Sequence, residues 1–69
     1  MKIEKWFNEL KEREPYWSDL TIFNTCITDR SLTKGEIGKA FNKLVHKDEY
    51  VGVDKDDLLE FCYSLVAKK

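Results

Sequence analysis

The chain has 69 residues, of which 42% are hydrophobic and 36% charged, and its formal net charge is −1. This length and composition predict a single globular domain over residues 1–69 and argue against intrinsic disorder and a strongly basic nucleic-acid-binding protein. The charged N-terminus and the lack of a long apolar run argue against a secretion signal and a membrane span, so we expect a cytoplasmic protein without a membrane partner.

The first predicted helix runs from Lys2 to Arg13. Its apolar residues have the i, i+3, i+4, i+7 spacing of one helical face: Ile3, Trp6, Phe7 and Leu10. Because Pro15 disfavours helical geometry at Glu14, the helix ends before that residue. Tyr16 and Trp17 follow in the turn. Each is interpreted either as a lid on the core or as an exposed contact to a partner.

Residues 19–29 form the next segment, with Ser18 as a good N-cap. The segment is rich in β-branched residues, so a strand remains an alternative. Its apolar positions nevertheless repeat the helical spacing, and we favour a helix: Phe23, Cys26 and Ile27. Cys26 and Cys62 lie among apolar residues and form no C-x-x-C pair, so we expect buried free thiols and a reducing compartment.

Thr33 and Glu36 have the spacing of a capping box and predict the clearest helix of the chain, from Lys34 to His46. Its apolar stripe is Ile37, Ala40, Phe41 and Leu44. Gly35 and Gly38 each cost roughly 1 kcal/mol in a helix interior relative to alanine. They suggest a close helix–helix approach or a frayed first turn.

The segment LTKGEIGKAF, from Leu32 to Phe41, is similar to the first helix of many helix-turn-helix DNA-binding domains. This resemblance implies a DNA-binding regulator, in which Lys39, Lys43 and Lys47 would lie along the phosphate backbone. In that family the following helix enters the major groove. Here the following helix opens with acidic residues, which phosphates repel, so the helix at 34–46 would have to make the contact. DNA binding is therefore our alternative function.

Residues 50–53 are predicted to be a connector with a short extended piece, and Asp54 is the predicted N-cap of a fourth helix. The apolar residues of that helix cover more than half of its circumference: Leu58, Leu59, Phe61, Cys62, Leu65 and Val66. This pattern predicts that the fourth helix is the most buried one. Lys68 and Lys69 suit its C-terminal end.

Residues 46–57 resemble an EF-hand calcium loop in outline, with Asp48 at the third position and Asp54 at the ninth. Calcium requires several converging oxygen ligands and a glycine at the sixth position for a sharp turn. The first position is His46 and the sixth is Val51. We therefore expect no metal and no cofactor, and interpret the acidic residues as caps and solvated side chains.

The charges of the second half are divided into two opposite blocks. Residues 30–47 contain five cations and one anion, and residues 48–60 contain six anions and one cation. The blocks are interpreted either as solvated faces that attract each other weakly or as a docking surface for a charged partner.

No arrangement of residues indicates catalysis. His46 is the only histidine of the sequence and has no cysteine or serine near it, and Asp56 and Asp57 point in different directions on a helix. We therefore predict an all-α bundle of three or four short helices around one aromatic-rich core. Its expected function is that of a non-catalytic interaction or regulatory module that binds another protein or a second copy of itself. The candidate contact residues are Tyr16, Trp17, Asp56, Asp57 and Glu60.

Overall fold

The computed structural model describes residues 2–66, and over this range it confirms the predicted all-helical fold. Its elements are α1 (Lys2–Arg13), α2 (Asp19–Ile27), α3 (Lys34–Leu44), a 3₁₀ helix (Lys47–Tyr50) and α4 (Lys55–Leu65). No strand occurs within residues 2–66, so the segment after Ser18 is a helix. The prediction for Lys68 and Lys69 lies outside the described residues.

Local capping interactions start three of the helices where the sequence predicts. Ser18 and Asp54 accept hydrogen bonds from N–H groups in the first turns of α2 and α4, at 3.2 and 2.9 Å. At the start of α3, Thr33 Oγ1 accepts a bond from the Glu36 N–H, and the Glu36 carboxylate accepts one from the Thr33 N–H, both at 3.1 Å. Each cap satisfies N–H groups that have no partner inside the helix.

The core lies between the four α-helices and is centred on α2. It consists of the apolar residues that are nearly inaccessible to solvent: Ile3, Phe7, Ile22, Phe23, Cys26, Ile27, Ile37, Ala40, Phe41, Val45 and Cys62. The Phe23 and Phe41 rings meet edge to face with their centres 5.7 Å apart, and Tyr50 packs on Phe41 at 5.4 Å. Aromatic contacts therefore connect α2, α3 and the 3₁₀ helix. Both cysteines are buried free thiols, as predicted.

The prediction that α4 is the most buried helix is wrong. Within Lys55–Leu65, Cys62 is the one buried residue, and Phe61 is 52% exposed. Neighbouring helices contact one side of α4, where Cys62 Sγ donates to Asn24 of α2 at 3.3 Å and Lys55 bonds Asn42 of α3. Because its apolar residues cover more than half of the circumference, two neighbours cannot bury them all.

α3 ends two residues before the predicted boundary, at Leu44 instead of His46. Val45 leaves the helix with φ −104° and ψ 118°, and its side chain enters the core, where it is 4% exposed. Of the two alternatives for the glycines, the close helix–helix approach is contradicted. A Cβ atom at Gly38 would meet no atom within 4 Å, and one at Gly35 would approach only Thr33.

The connector before α4 is helical and tightly turned where an extended piece was predicted. Tyr50 is the last residue of the 3₁₀ helix, and the Val53 N–H donates to the Tyr50 carbonyl at 3.1 Å. Gly52 has φ 84°, which suits glycine and permits this turn. Val51 itself has an extended backbone, with φ −60° and ψ 129°, but the turn at Gly52 prevents a longer extended piece.

α2 and α4 run in the same direction. Asn24 contacts Cys62 in the second half of both helices, and the Asp29 N–H donates to the Leu65 carbonyl at 3.0 Å beyond the end of α2. Both contacts follow the same order along the two segments, whereas α3 returns the chain between them. The turn before α2 and the turn before α4 therefore lie at the same end of the bundle.

Candidate functional site

Large apolar side chains are exposed mainly at one end of the described part of the chain. The exposed ones, with their exposed fractions, are Tyr16 (98%), Val51 (80%), Val53 (52%), Phe61 (52%) and Trp17 (42%). Four of them precede the parallel helices α2 and α4. We call Tyr16, Trp17, Val51 and Val53 the apolar end. Exposed apolar side chains at one end of a fold are typical of surfaces that contact other molecules.

The turn that carries Tyr16 and Trp17 is held at both sides. The Glu14 N–H donates to the Leu10 carbonyl at 2.8 Å, and the Trp17 N–H donates to the Glu14 carbonyl at 3.2 Å. Pro15 restricts the backbone between them. The structure therefore answers the question left open by the sequence: both residues are exposed, Tyr16 almost fully and Trp17 to 42%. A rigid turn presents them with little loss of backbone entropy on binding.

Asp19 links the two turns of the apolar end through its backbone N–H and its buried carboxylate. Asp19 is 8% exposed, and its carboxylate lies 2.9 Å from Lys11 Nζ and 3.8 Å from His46 Nε2. The Asp19 N–H donates to Glu49 Oε1 at 2.6 Å. These contacts join α1, α2 and the connector before α4, so they hold the two turns of the apolar end together. Sequence reasoning missed this junction, because its partners are far apart in the chain.

The three predicted acidic contact residues, Asp56, Asp57 and Glu60, are all exposed on α4. They lie beyond the Asp54 cap in the first two turns, so they add negative charge beside the apolar end. Sequence reasoning missed Phe61, which it assigned to the core with the other apolar residues. Its position could have indicated exposure, because Phe61 lies about 100° around the helix from the buried Cys62 and one turn after the exposed Asp57.

The three lysines of the DNA-binding alternative are exposed, but the structure does not place them on one helix. Lys39 and Lys43 lie on α3, whereas Lys47 starts the 3₁₀ helix. Lys43 Nζ is 2.8 Å from Glu4 Oε2, and its hydrogen bond and charge lower the pKa of Glu4. Residues 45–54 connect α3 to α4, whereas a helix-turn-helix motif uses a turn of about 3–4 residues.

The surroundings of the ionisable groups bear on the metal-binding and catalytic alternatives. Within residues 2–66, no three His, Cys, Asp or Glu side chains gather in a way that would hold a metal ion. Burial raises the pKa of Cys62 to about 11, and it also raises the pKa of Cys26 against the opposing effect of Arg30. Both thiols are therefore protonated at neutral pH, and a protonated thiol is a poor nucleophile.

Trp6 packs against the core but remains partly accessible beside a cleft of about 240 Å³. The Arg30 guanidinium lies 3.7 Å from the centre of the Trp6 ring, and its Nε donates to the Cys26 carbonyl at 2.6 Å. This stacked arginine satisfies a carbonyl near the C-terminus of α2 and covers Trp6. The arrangement therefore serves the fold, and Trp6 belongs to the margin of the core.

Comparison with protein-family models, curated proteins and solved structures gave no significant match. None of the helices in the described range is long and apolar enough to cross a bilayer.

Proposed function

We propose that this chain is a non-catalytic interaction module that binds another protein. The observation that carries the proposal is the apolar end, where four large apolar side chains are exposed on two turns that Asp19 and Glu49 join. Tyrosine and tryptophan contribute most strongly to protein–protein binding when a partner excludes water from them. The turn with Tyr16 and Trp17 is the proposed anchor.

The acidic residues of α4 support the same function. Asp56, Asp57 and Glu60 are exposed and lie close in sequence to Val51 and Val53. Charges at the rim of an interface steer association and select partners of opposite charge. We therefore assign the apolar residues to affinity and the carboxylates to the choice of partner.

The two thiols support a reducing compartment. Cys26 and Cys62 are buried, and the raised pKa values keep them protonated, so they contribute to the core as small apolar residues. Free buried thiols are usual in proteins of the cytoplasm, which is the compartment that we propose.

The test is selection of peptides from a displayed random library against the folded chain, with the affinity of each selected peptide measured on variants. We expect Trp17→Ala, alone or with Tyr16→Ala, to weaken binding by at least about tenfold. A control with Asn8→Ala and Glu12→Ala, both on the exposed face of α1, should bind normally. Selected peptides that bind all variants equally, or a selection that yields no specific peptide, would contradict the proposal.

Two further measurements separate this function from the alternatives. Sedimentation over a range of concentrations detects binding of a second copy, which Trp17→Ala would weaken if the apolar end is the contact. Binding of a DNA duplex that weakens as salt rises, and that is lost in the variant with Lys39→Glu and Lys43→Glu, would support the DNA-binding alternative instead.

A further inference from the structure

One flank of α4 carries an apolar stripe whose central residue, Phe61, the described fold leaves exposed. Tyr63 and Phe61 project about 200° apart on this helix. The Tyr63 flank faces α3, whose Lys34 Nζ lies 5.2 Å from the centre of the Tyr63 ring. Phe61 is on the other flank and is 52% exposed.

The residues beside Phe61 extend this stripe along the helix. Leu58 and Leu65, three residues before and four residues after it, are partly buried on its inner side. Asp57 and Glu60 are exposed on its outer side. We call these five residues the open flank: Leu58, Phe61, Leu65, Asp57 and Glu60. Phe61 projects from a ridge with the spacing i, i+3, i+7, whose two leucines also pack against the core of this chain.

Charge decides which kind of helix fits this ridge. The open flank carries the exposed carboxylates of Asp57 and Glu60 beside Phe61, so a partner with lysine or arginine beside its apolar residues is attracted. The 11 residues of α4 extend over about 16 Å, which matches about three turns of a partner helix. We propose that the open flank binds a basic amphipathic helix of a different protein. This inference rests on the proposed interaction function and names the chemistry of its partner.

A second copy of this chain is a poor occupant. A two-fold contact between two open flanks brings Asp57 and Glu60 of one copy against the same carboxylates of the other, and like charges repel. The basic helix α3 of a second copy is a poor occupant as well, because a partner helix needs an exposed apolar side. The apolar side of α3, with Ile37 and Phe41, is fully buried in the core.

The probe is a fluorescein-labelled synthetic peptide of about four helical turns, with leucines at i, i+3, i+4 and i+7 and lysines between them. Fluorescence anisotropy at low and physiological salt gives its affinity for the whole chain. Two control peptides have the same residues in scrambled order, or glutamate in place of every lysine. We expect binding of the amphipathic basic peptide only, and weaker binding as salt rises.

Variants locate the binding surface. Phe61→Ala should weaken binding at least tenfold, and Asp57→Asn with Glu60→Gln should weaken it several-fold and reduce its salt dependence. The matched control is Glu9→Gln with Glu12→Gln on the exposed face of α1, which also removes two negative charges. This control should bind almost as tightly as the unaltered chain. Circular dichroism establishes that every variant is folded.

Several results would overturn the inference. They are equal binding of the scrambled peptide, equal losses in the α1 control, no effect of Phe61→Ala, or no binding of the basic peptide. A dimer of this chain that Phe61→Ala dissociates would assign the flank to a second copy. If binding of the library peptides still depends on Trp17 while the basic peptide does not bind, the proposed function stands and only this inference is lost.

Discussion

Truncation of Phe61 and of Phe41 to alanine removes the same side chain from two helices, and we expect very different losses of stability. Phe61 is 52% exposed, so its truncation loses about half of the roughly 1.5–3 kcal/mol that burial of a whole phenylalanine contributes. The better helix propensity of alanine offsets about 0.5 kcal/mol of this loss. We therefore expect Phe61→Ala to lower the free energy of unfolding by about 1 kcal/mol or less.

Phe41 is fully buried, and its ring contacts Phe23 and Tyr50 with centres 5.7 and 5.4 Å away. Its truncation loses these contacts and leaves a cavity, at a typical cost of about 3–5 kcal/mol. A domain of 69 residues has a total stability of roughly 3–10 kcal/mol. The Phe41→Ala variant should therefore retain little free energy of unfolding at room temperature, whereas the Phe61→Ala variant should remain folded.

Urea unfolding followed by circular dichroism measures both free energies, and thermal melting provides a second estimate. For a domain of this size, 1 kcal/mol corresponds to a melting-temperature shift of about 4–8 °C. If Phe61→Ala costs as much as Phe41→Ala, Phe61 is a core residue in solution. The open flank would then not exist, and the inference of a basic helical partner would be refuted with it.

Four further predictions concern local features of the fold. Because a Cβ atom at Gly38 meets no atom within 4 Å, Gly38→Ala should raise the urea midpoint and add up to about 1 kcal/mol of stability; a loss would reveal a close neighbour. Thr33→Ala removes the capping box and should cost about 1 kcal/mol in the same assay, with no change in binding. Lys43→Ala should raise the pKa of Glu4 towards 4.5 in a carboxyl NMR titration, because Lys43 lowers it by a hydrogen bond and by charge. The contribution of this pair to folding stability is present above pH 4.5 and is lost as the pH falls through the folded-state pKa of Glu4. An unchanged pKa of Glu4 in the variant would contradict the pairing. Burial raises the pKa of Cys62 from 9.0 to about 11, so stability should fall as the pH rises between these values, by at most about 3 kcal/mol; Cys62→Ala should lack this part of the pH dependence.

The helices could be predicted from the sequence because short-range interactions determine where they begin and end. Ser18, Thr33 and Asp54 cap helices through atoms two or three residues away, and Pro15 acts on its immediate neighbours. The end of α3 was placed two residues too late, since the burial of Val45, a tertiary contact, draws the chain out of the helix.

The candidate site was predicted only in part. Tyr16 and Trp17 stood out because they lie in a turn beside proline, but the sequence left open whether they were exposed. Phe61 was assigned to the core because an apolar residue on a helix shows the same spacing whether or not a neighbour covers it. Helical periodicity reports which residues share a face and does not report how many helices pack against that face.

The amino-acid sequence by itself determined the helical fold class, the caps and the aromatic character of the core, because these depend on contacts between residues close in the chain. Tertiary structure alone decided which apolar residues stay exposed, because exposure depends on neighbours distant in sequence. The Asp19 junction with Lys11, His46 and Glu49 shows the same rule for a charged group. Only folding brings these four residues together, and their contacts connect the two turns that form the apolar end.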